Sequence, residues 1–91
     1  MICMRSIERS SAFKRDFKKH GELDGALITV LYKLLHDVPL DDKYRDHELI
    51  GDWLGYRECH IKPNFLLIYK KLDDPFGLRL ARLGSHSELF G

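Results

Sequence analysis

The chain has 91 residues, a formal net charge of +1, and 44% hydrophobic against 32% charged residues. That length supports one core, so a single domain spanning residues 1–91 of ordinary globular composition is expected, and the near-zero charge by itself selects no partner. No apolar run approaches the ~20 residues a membrane helix requires, and the opening MICMRSIERS lacks the apolar stretch of a signal peptide, so the expected setting is the cytoplasm with no membrane partner.

In chain order, the SIERS segment reads as a short first strand. Ser10 or Ser11 then caps a helix, SAFKRDFKKHG, with Phe13 and Phe17 four apart on one face and a stop at Gly21. Between Arg5 and Lys19 lie Arg5, Arg9, Lys14, Arg15, Lys18 and Lys19 against only Glu8 and Asp16. The plain reading is a solvated helix face; the sharper one is contact with an anionic partner such as RNA, with Lys14 and Lys18 as candidates. From Glu22 to Asp37, Leu23, Leu27, Val30, Leu31, Leu34 and Leu35 keep helical spacing, and Pro39 supports the stop. The short join between the two helices predicts a helical hairpin.

The pattern then changes. WLGYRECHI, FLLIYKK and GLRLARLG are short runs of branched and aromatic residues, separated by the turn signals KPN and LDDPFG. They predict three antiparallel strands in a meander, with FLLIY as a central strand covered on both faces. The architecture is α+β in two layers, an N-terminal strand and a helical hairpin on a small, mainly antiparallel sheet. Cys3 and Cys59 are read as free thiols, because nothing suggests an oxidising compartment and no zinc spacing is present.

Alternation along the strand places Tyr56, Glu58 and His60 on one face, opposite Arg57, Cys59 and Ile61. His47 sits in a loop just before that strand. Arg82 lies near the end of the last strand, and an extended chain through Gly84 aims His86 the same way. Imidazole takes or gives a proton at neutral pH, and a guanidinium holds a phosphate. The set suits metal-free RNA cleavage, in which the ribose 2′-hydroxyl attacks the adjacent phosphorus and the 5′-oxygen leaves with a proton. Phe90, Tyr56 and Trp53 are candidates to stack an unpaired base. Each residue also has a plainer reading. His47 is a loop histidine, His60 a satisfied core residue, Arg82 an ion-pair partner of Glu58, and Phe90 a plug for the C-terminus. His20 and His36, near helix ends, read as surface or capping groups. A zinc site from His47, His60 and His86 lacks HExxH-like spacing, and no cofactor motif is present.

The stretch YRDHELIGDWLGYRECHIKPNFLLIYKK, followed by RLARLGSHSELFG, resembles the YafQ-type toxins of the RelE/ParE superfamily over Tyr44 to Gly91. The resemblance implies a RelE-like fold and a bacterial toxin, paired with an antitoxin, that cuts mRNA on the ribosome. It implies that His47, His60 and His86 are active-site histidines, with His86 the general acid and the other two orienting or deprotonating the attacking hydroxyl. Arg82 matches a phosphate-binding arginine, Phe90 a terminal aromatic that holds the nucleotide, and Glu58 a position where relatives carry an acid. Asn64 departs from the pattern, since relatives usually have aspartate there. Asparagine cannot accept a proton, so a slower enzyme or a shifted pH optimum is expected, although asparagine also suits the turn. Two alternatives stand beside this reading. One is a ParE-like toxin that poisons gyrase without cutting RNA, and the other a ribosome-independent ribonuclease on the same scaffold. For the antitoxin, an acidic or amphipathic segment over the basic groove and the sheet face is expected.

Overall fold

The computed structural model describes residues 4–20, 23–73 and 75–91. The readings of Cys3 as a thiol, Gly21 as a helix stop and Glu22 as a helix start fall outside them. Strand β1 (Ser6–Arg9) leads into helix α1 (Ser11–His20), with Ser10 as its cap: its Oγ accepts from the Phe13 amide at 2.9 Å. Helix α2 (Gly25–Leu35) starts later than the periodicity suggests. Asp24 takes the N-cap position, accepting from Leu27 N, and leaves Leu23 outside the helix and exposed. His36 is its C-cap residue. Strands β2 (His47–Glu48), β3 (Arg57–Lys62), β4 (Phe65–Asp73) and β5 (Phe76–Gly84) follow, and helix α3 (His86–Phe90) ends the chain.

The sheet order is β1-β5-β4-β3-β2, with β1 parallel to β5 and every other pairing antiparallel. Phe13, Leu27, Val30 and Leu34 of the two helices pack on Cys59, Ile61, Leu67, Tyr69, Leu78, Leu80 and Leu83. Leu66 and Ile68 point to the other side, against Ala81 and Leu89 of α3, so the FLLIY strand is covered on both faces as its composition requires.

Three local differences from the sequence reading follow from backbone chemistry. Trp53 belongs to a 3-10 turn (Gly51–Trp53) rather than to the strand, because Gly51 and Gly55 adopt positive φ, +67° and +93°, and bend the chain before β3. His47 lies in a two-residue strand, paired with Glu58, rather than in an open loop. The chain is not extended past Gly84: Ser85 caps α3 and turns His86 into a helix. Arg5, counted with the basic stretch, is buried; its Nη1 donates to the carbonyls of Leu72 and Gly77 and its Nε to Asp37.

Candidate active site

Register sets the site. In an antiparallel sheet, paired residues share a face, so His47, Glu58, Ile68 and Arg82 form one row across four strands, with His60, Leu66 and Gly84 in the next. Two strand spacings separate Glu58 from Arg82, about 10 Å between backbones. Simple alternation from Leu78 and Leu80, both in the helix-side core, would have turned Arg82 toward the helices. A β-bulge takes Arg82 out of the helix-side core, although its guanidinium still reaches Asp16 of α1. Ile68 pairs with Arg82 and Tyr69 with Leu80, so Ala81 is the extra residue and the phase flips.

Glu58 is 5% exposed, and both strand histidines face it. The Nε2 of His60 lies 3.4 Å, and that of His47 3.7 Å, from the same Oε1. The opposite ring nitrogens are engaged by backbone: His47 Nδ1 with the Arg45 carbonyl at 2.7 Å, and His60 Nδ1 with the Pro63 carbonyl at 3.3 Å. A carbonyl only accepts, so each Nδ1 carries the hydrogen, and Nε2 is the nitrogen that exchanges a proton. Both Nε2 distances exceed a normal N–H···O bond. The contact with Glu58 becomes an ion pair only when an imidazole is protonated. The loop before His47 is pinned by Asp46, which accepts from Arg57 at 3.0 Å and from the buried Tyr69 hydroxyl. That ion pair raises the Arg57 pKa further, while burial, with Asp46 beside it, pushes the Tyr69 phenol well up.

Arg82 is held by Asp16 of α1, not by Glu58. Its Nε and Nη2 donate to the carboxylate at 2.7 and 3.2 Å, and the Leu83 amide donates to it at 3.0 Å. Burial works to raise the Asp16 pKa, but the Arg82 and Leu83 bonds outweigh it and hold the carboxyl below its ordinary value. In turn Asp16 raises the Arg82 pKa. Sequence offers no signal for this contact, which spans two elements far apart in the chain.

Helix α3 carries His86 and Phe90 on neighbouring turns, with ring centroids 5.1 Å apart. It has five residues, too few to persist alone, and three ties fix it. Leu89 is buried against Leu66, Ile68 and Ala81. Ser85 and Glu88 form a capping box, whose S-x-x-E spacing was readable in the sequence. The Asn64 Oδ1 accepts from the His86 amide at 3.3 Å, joining the β3–β4 turn to the helix. Glu88 also meets Lys19 at 2.8 Å and His20 at 3.2 Å, and the Lys19 bond with the Ser85 amide bond brings its pKa down to about 2.

Tyr56 sits beside Lys70, whose Nζ lies 5.5 Å from its ring centroid. Its ring meets Trp53 edge-on at 5.3 Å, and its hydroxyl accepts from Arg79. Tyr56, Trp53 and Leu49 border the same apolar floor that seats α3. Lys14 and Lys18 are exposed, and helical steps of 100° place both on the flank of α1 opposite Asp16, so the described geometry does not bring them to Arg82. Lys19 is the α1 lysine that reaches α3. The described residues contain no group of three or more His, Cys, Asp and Glu side chains arranged to hold a metal ion.

Residues 5–91 match the sequence profile of the family described as bacterial toxin of type II toxin-antitoxin system, YafQ. The mRNA interferase toxin YafQ of Escherichia coli K12 is 36% identical over 94 residues, covering 99% of this chain and 100% of the relative. Among solved structures, the toxin in the E. coli DinJ–YafQ complex is 37% identical with a TM-score of 0.80, covering 96% of this chain and 99% of that one. A metal-bound toxin from Helicobacter pylori is 44% identical with a TM-score of 0.86, covering 96% and 100%. The chain belongs to the YafQ family of bacterial toxins of type II toxin–antitoxin systems.

Proposed function

We propose that this toxin is an endoribonuclease that cleaves mRNA on the ribosome, using its own side chains and the substrate's 2′-hydroxyl. The observation that carries the reading is the pair of imidazoles facing one buried carboxylate, with Arg82 at the paired position two strands away. A surface that only binds gyrase has no need of that arrangement. Either strand histidine, with Nδ1 donating to a carbonyl, offers Nε2 to the 2′-hydroxyl proton, and Glu58 stabilises the imidazolium that results. As the 2′-oxygen bonds to phosphorus, charge builds on the phosphorane, and Arg82 stands on the row to meet it. His86, at the exposed start of α3, gives a proton to the departing 5′-oxygen. Phe90, Tyr56 and Trp53 supply aromatic surface for a base, at about 1–3 kcal/mol per stacked base. Asn64 serves as an acceptor that positions α3 and takes no proton.

The mRNA interferase name of the E. coli relative supports the substrate, and the DinJ–YafQ complex supports a cognate antitoxin as partner. The cytoplasm, where translating mRNA is found, is the setting. The test is cleavage on programmed ribosomes by wild type and His86→Ala. Loss of the general acid lowers the rate by about 10²–10⁴-fold; equal rates remove His86 from the mechanism. Because the H. pylori relative is metal-bound, the toxin is first stripped with EDTA and then returned to chelator-free buffer whose only divalent ion is Mg²⁺ for the ribosomes, which leaves the rate unchanged if the side chains suffice without a bound transition metal. Inhibition of gyrase supercoiling without RNA cleavage establishes the binding-toxin alternative, and cleavage of naked RNA at the ribosomal rate establishes the ribosome-independent one.

A further inference from the structure

Strand β2 pairs only with Arg57 and Glu58, so beyond them β3 has no strand neighbour on that side among the described residues. A groove of about 770 Å³ fills the place. It runs between Gly25 and Thr29 of α2, the turn Lys43–Arg45, and the end of β3 from His60 to Pro63. Gly25 keeps the helix wall low, since a Cβ there would meet nothing within 4 Å. The rim is cationic. Lys62 is held by Asp24, which also caps α2. Lys43 lies over the Tyr44 ring at 5.2 Å and Arg45 is exposed, and neither meets a carboxylate among the described residues.

The groove is continuous with the imidazole pair. The two carbonyls that orient His47 and His60 belong to Arg45 and Pro63, both of which line it, as does His60 itself. A strand of RNA whose scissile phosphate sits beside His60 must carry its neighbouring phosphates away from that point. The channel that leads off from His60 is this one. Resting on the ribonuclease reading, we propose that the groove is a second RNA site, which holds backbone phosphates flanking the cut through Arg45 and Lys43. It grips phosphate alone, so it is indifferent to base sequence. It also assigns the electrostatic grip to this turn in place of Lys14 and Lys18.

The test is fluorescence anisotropy of the full chain with a short single-stranded oligoribonucleotide that carries a 2′-deoxy sugar at the cut, across a salt series. The Lys43→Gln/Arg45→Gln variant is compared with an equal-charge control, Arg9→Gln/Arg15→Gln, after circular dichroism shows both folded. For single strands, each phosphate neutralised by a side-chain cation adds about 0.7 to the steepness of log affinity against log salt, so the groove variant's slope is shallower by about 1.4 and the control keeps the wild-type slope. Equal slopes for groove variant and wild type overturn the proposal. Equally shallow slopes for groove variant and control do the same, because only bulk charge is then at work. Weakened binding of an acidic peptide with RNA affinity intact assigns the groove to protein and also overturns it. The oligonucleotide is not cut, so the measurement separates the two claims: a wild type that binds through the groove but cleaves nothing sinks the catalytic reading and leaves the groove standing.

Discussion

Leu89→Ala should separate activity from stability. Leu89 is 8% exposed and seats α3 on Leu66, Ile68 and Ala81. Truncating a buried leucine costs about 2–5 kcal/mol. At the chain end the low figure applies, about 2 kcal/mol, which lowers the equilibrium constant for α3 docking roughly thirtyfold. A helix of five residues has no independent stability to resist this, so the segment detaches while the sheet and the helix-side core remain intact. Detachment carries away His86 and Phe90 together. We expect cleavage on programmed ribosomes to fall at least about tenfold, given that misplacement by about 1 Å already costs on the order of 10²-fold. The thermal midpoint should fall by no more than about 8–16 °C, at about 4–8 °C per kcal/mol for a domain of this size, and limited proteolysis should clip residues after Gly84 faster than in wild type. An L89A protein that cleaves as fast as wild type would refute the claim that docking of α3 completes the site.

Three further outcomes follow from individual interactions. Asp16→Ala removes the acceptor of Arg82 and the Leu83 amide, a loss of about 2 kcal/mol measured by urea unfolding at neutral pH. Because the folded-state pKa of Asp16 is depressed, that contribution is present above the ordinary carboxylate range and disappears as pH falls through the folded value, so the stabilities of variant and wild type converge in acid. Asn64→Asp retains the Oδ1 that accepts from His86 N–H, so thermal stability is unchanged, while a gain in rate or a moved pH optimum reports the acid's chemical contribution; Asn64→Ala loses the tie and about 1 kcal/mol. Burial pushes the Cys59 thiol far up, so Cys59 resists alkylation in the native state and reacts only after denaturation, as peptide mass mapping will show.

The fold was largely legible because its signals are local. Phe13 and Phe17, the leucines of α2 and the continuous FLLIY run each state their own burial pattern, and Ser10 is a capping residue where α1 begins. Alternation alone placed Tyr56, Glu58 and His60 on one face, and their common packing and register agree. What sequence could not supply is set by long-range registry. The bulge at Ala81 decides which way Arg82 faces, and periodicity predicts the opposite side. The Asp16–Arg82 pair joins residues 66 apart with no pattern linking them. The ending of β5 at Gly84 was different: Ser85 and Glu88 spelled a capping box, a local signal strong enough to have predicted α3.

The chemistry of the cut ends decides whether the 2′-hydroxyl is the nucleophile. If the imidazoles activate the 2′-hydroxyl against its own phosphodiester, mRNA cleaved by the wild-type toxin on programmed ribosomes carries a 2′,3′-cyclic phosphate upstream of the cut and a free 5′-hydroxyl downstream. A 3′-hydroxyl facing a 5′-phosphate would show that water attacked from outside the ribose, and the account given to His47, His60, His86 and Arg82 would be contradicted.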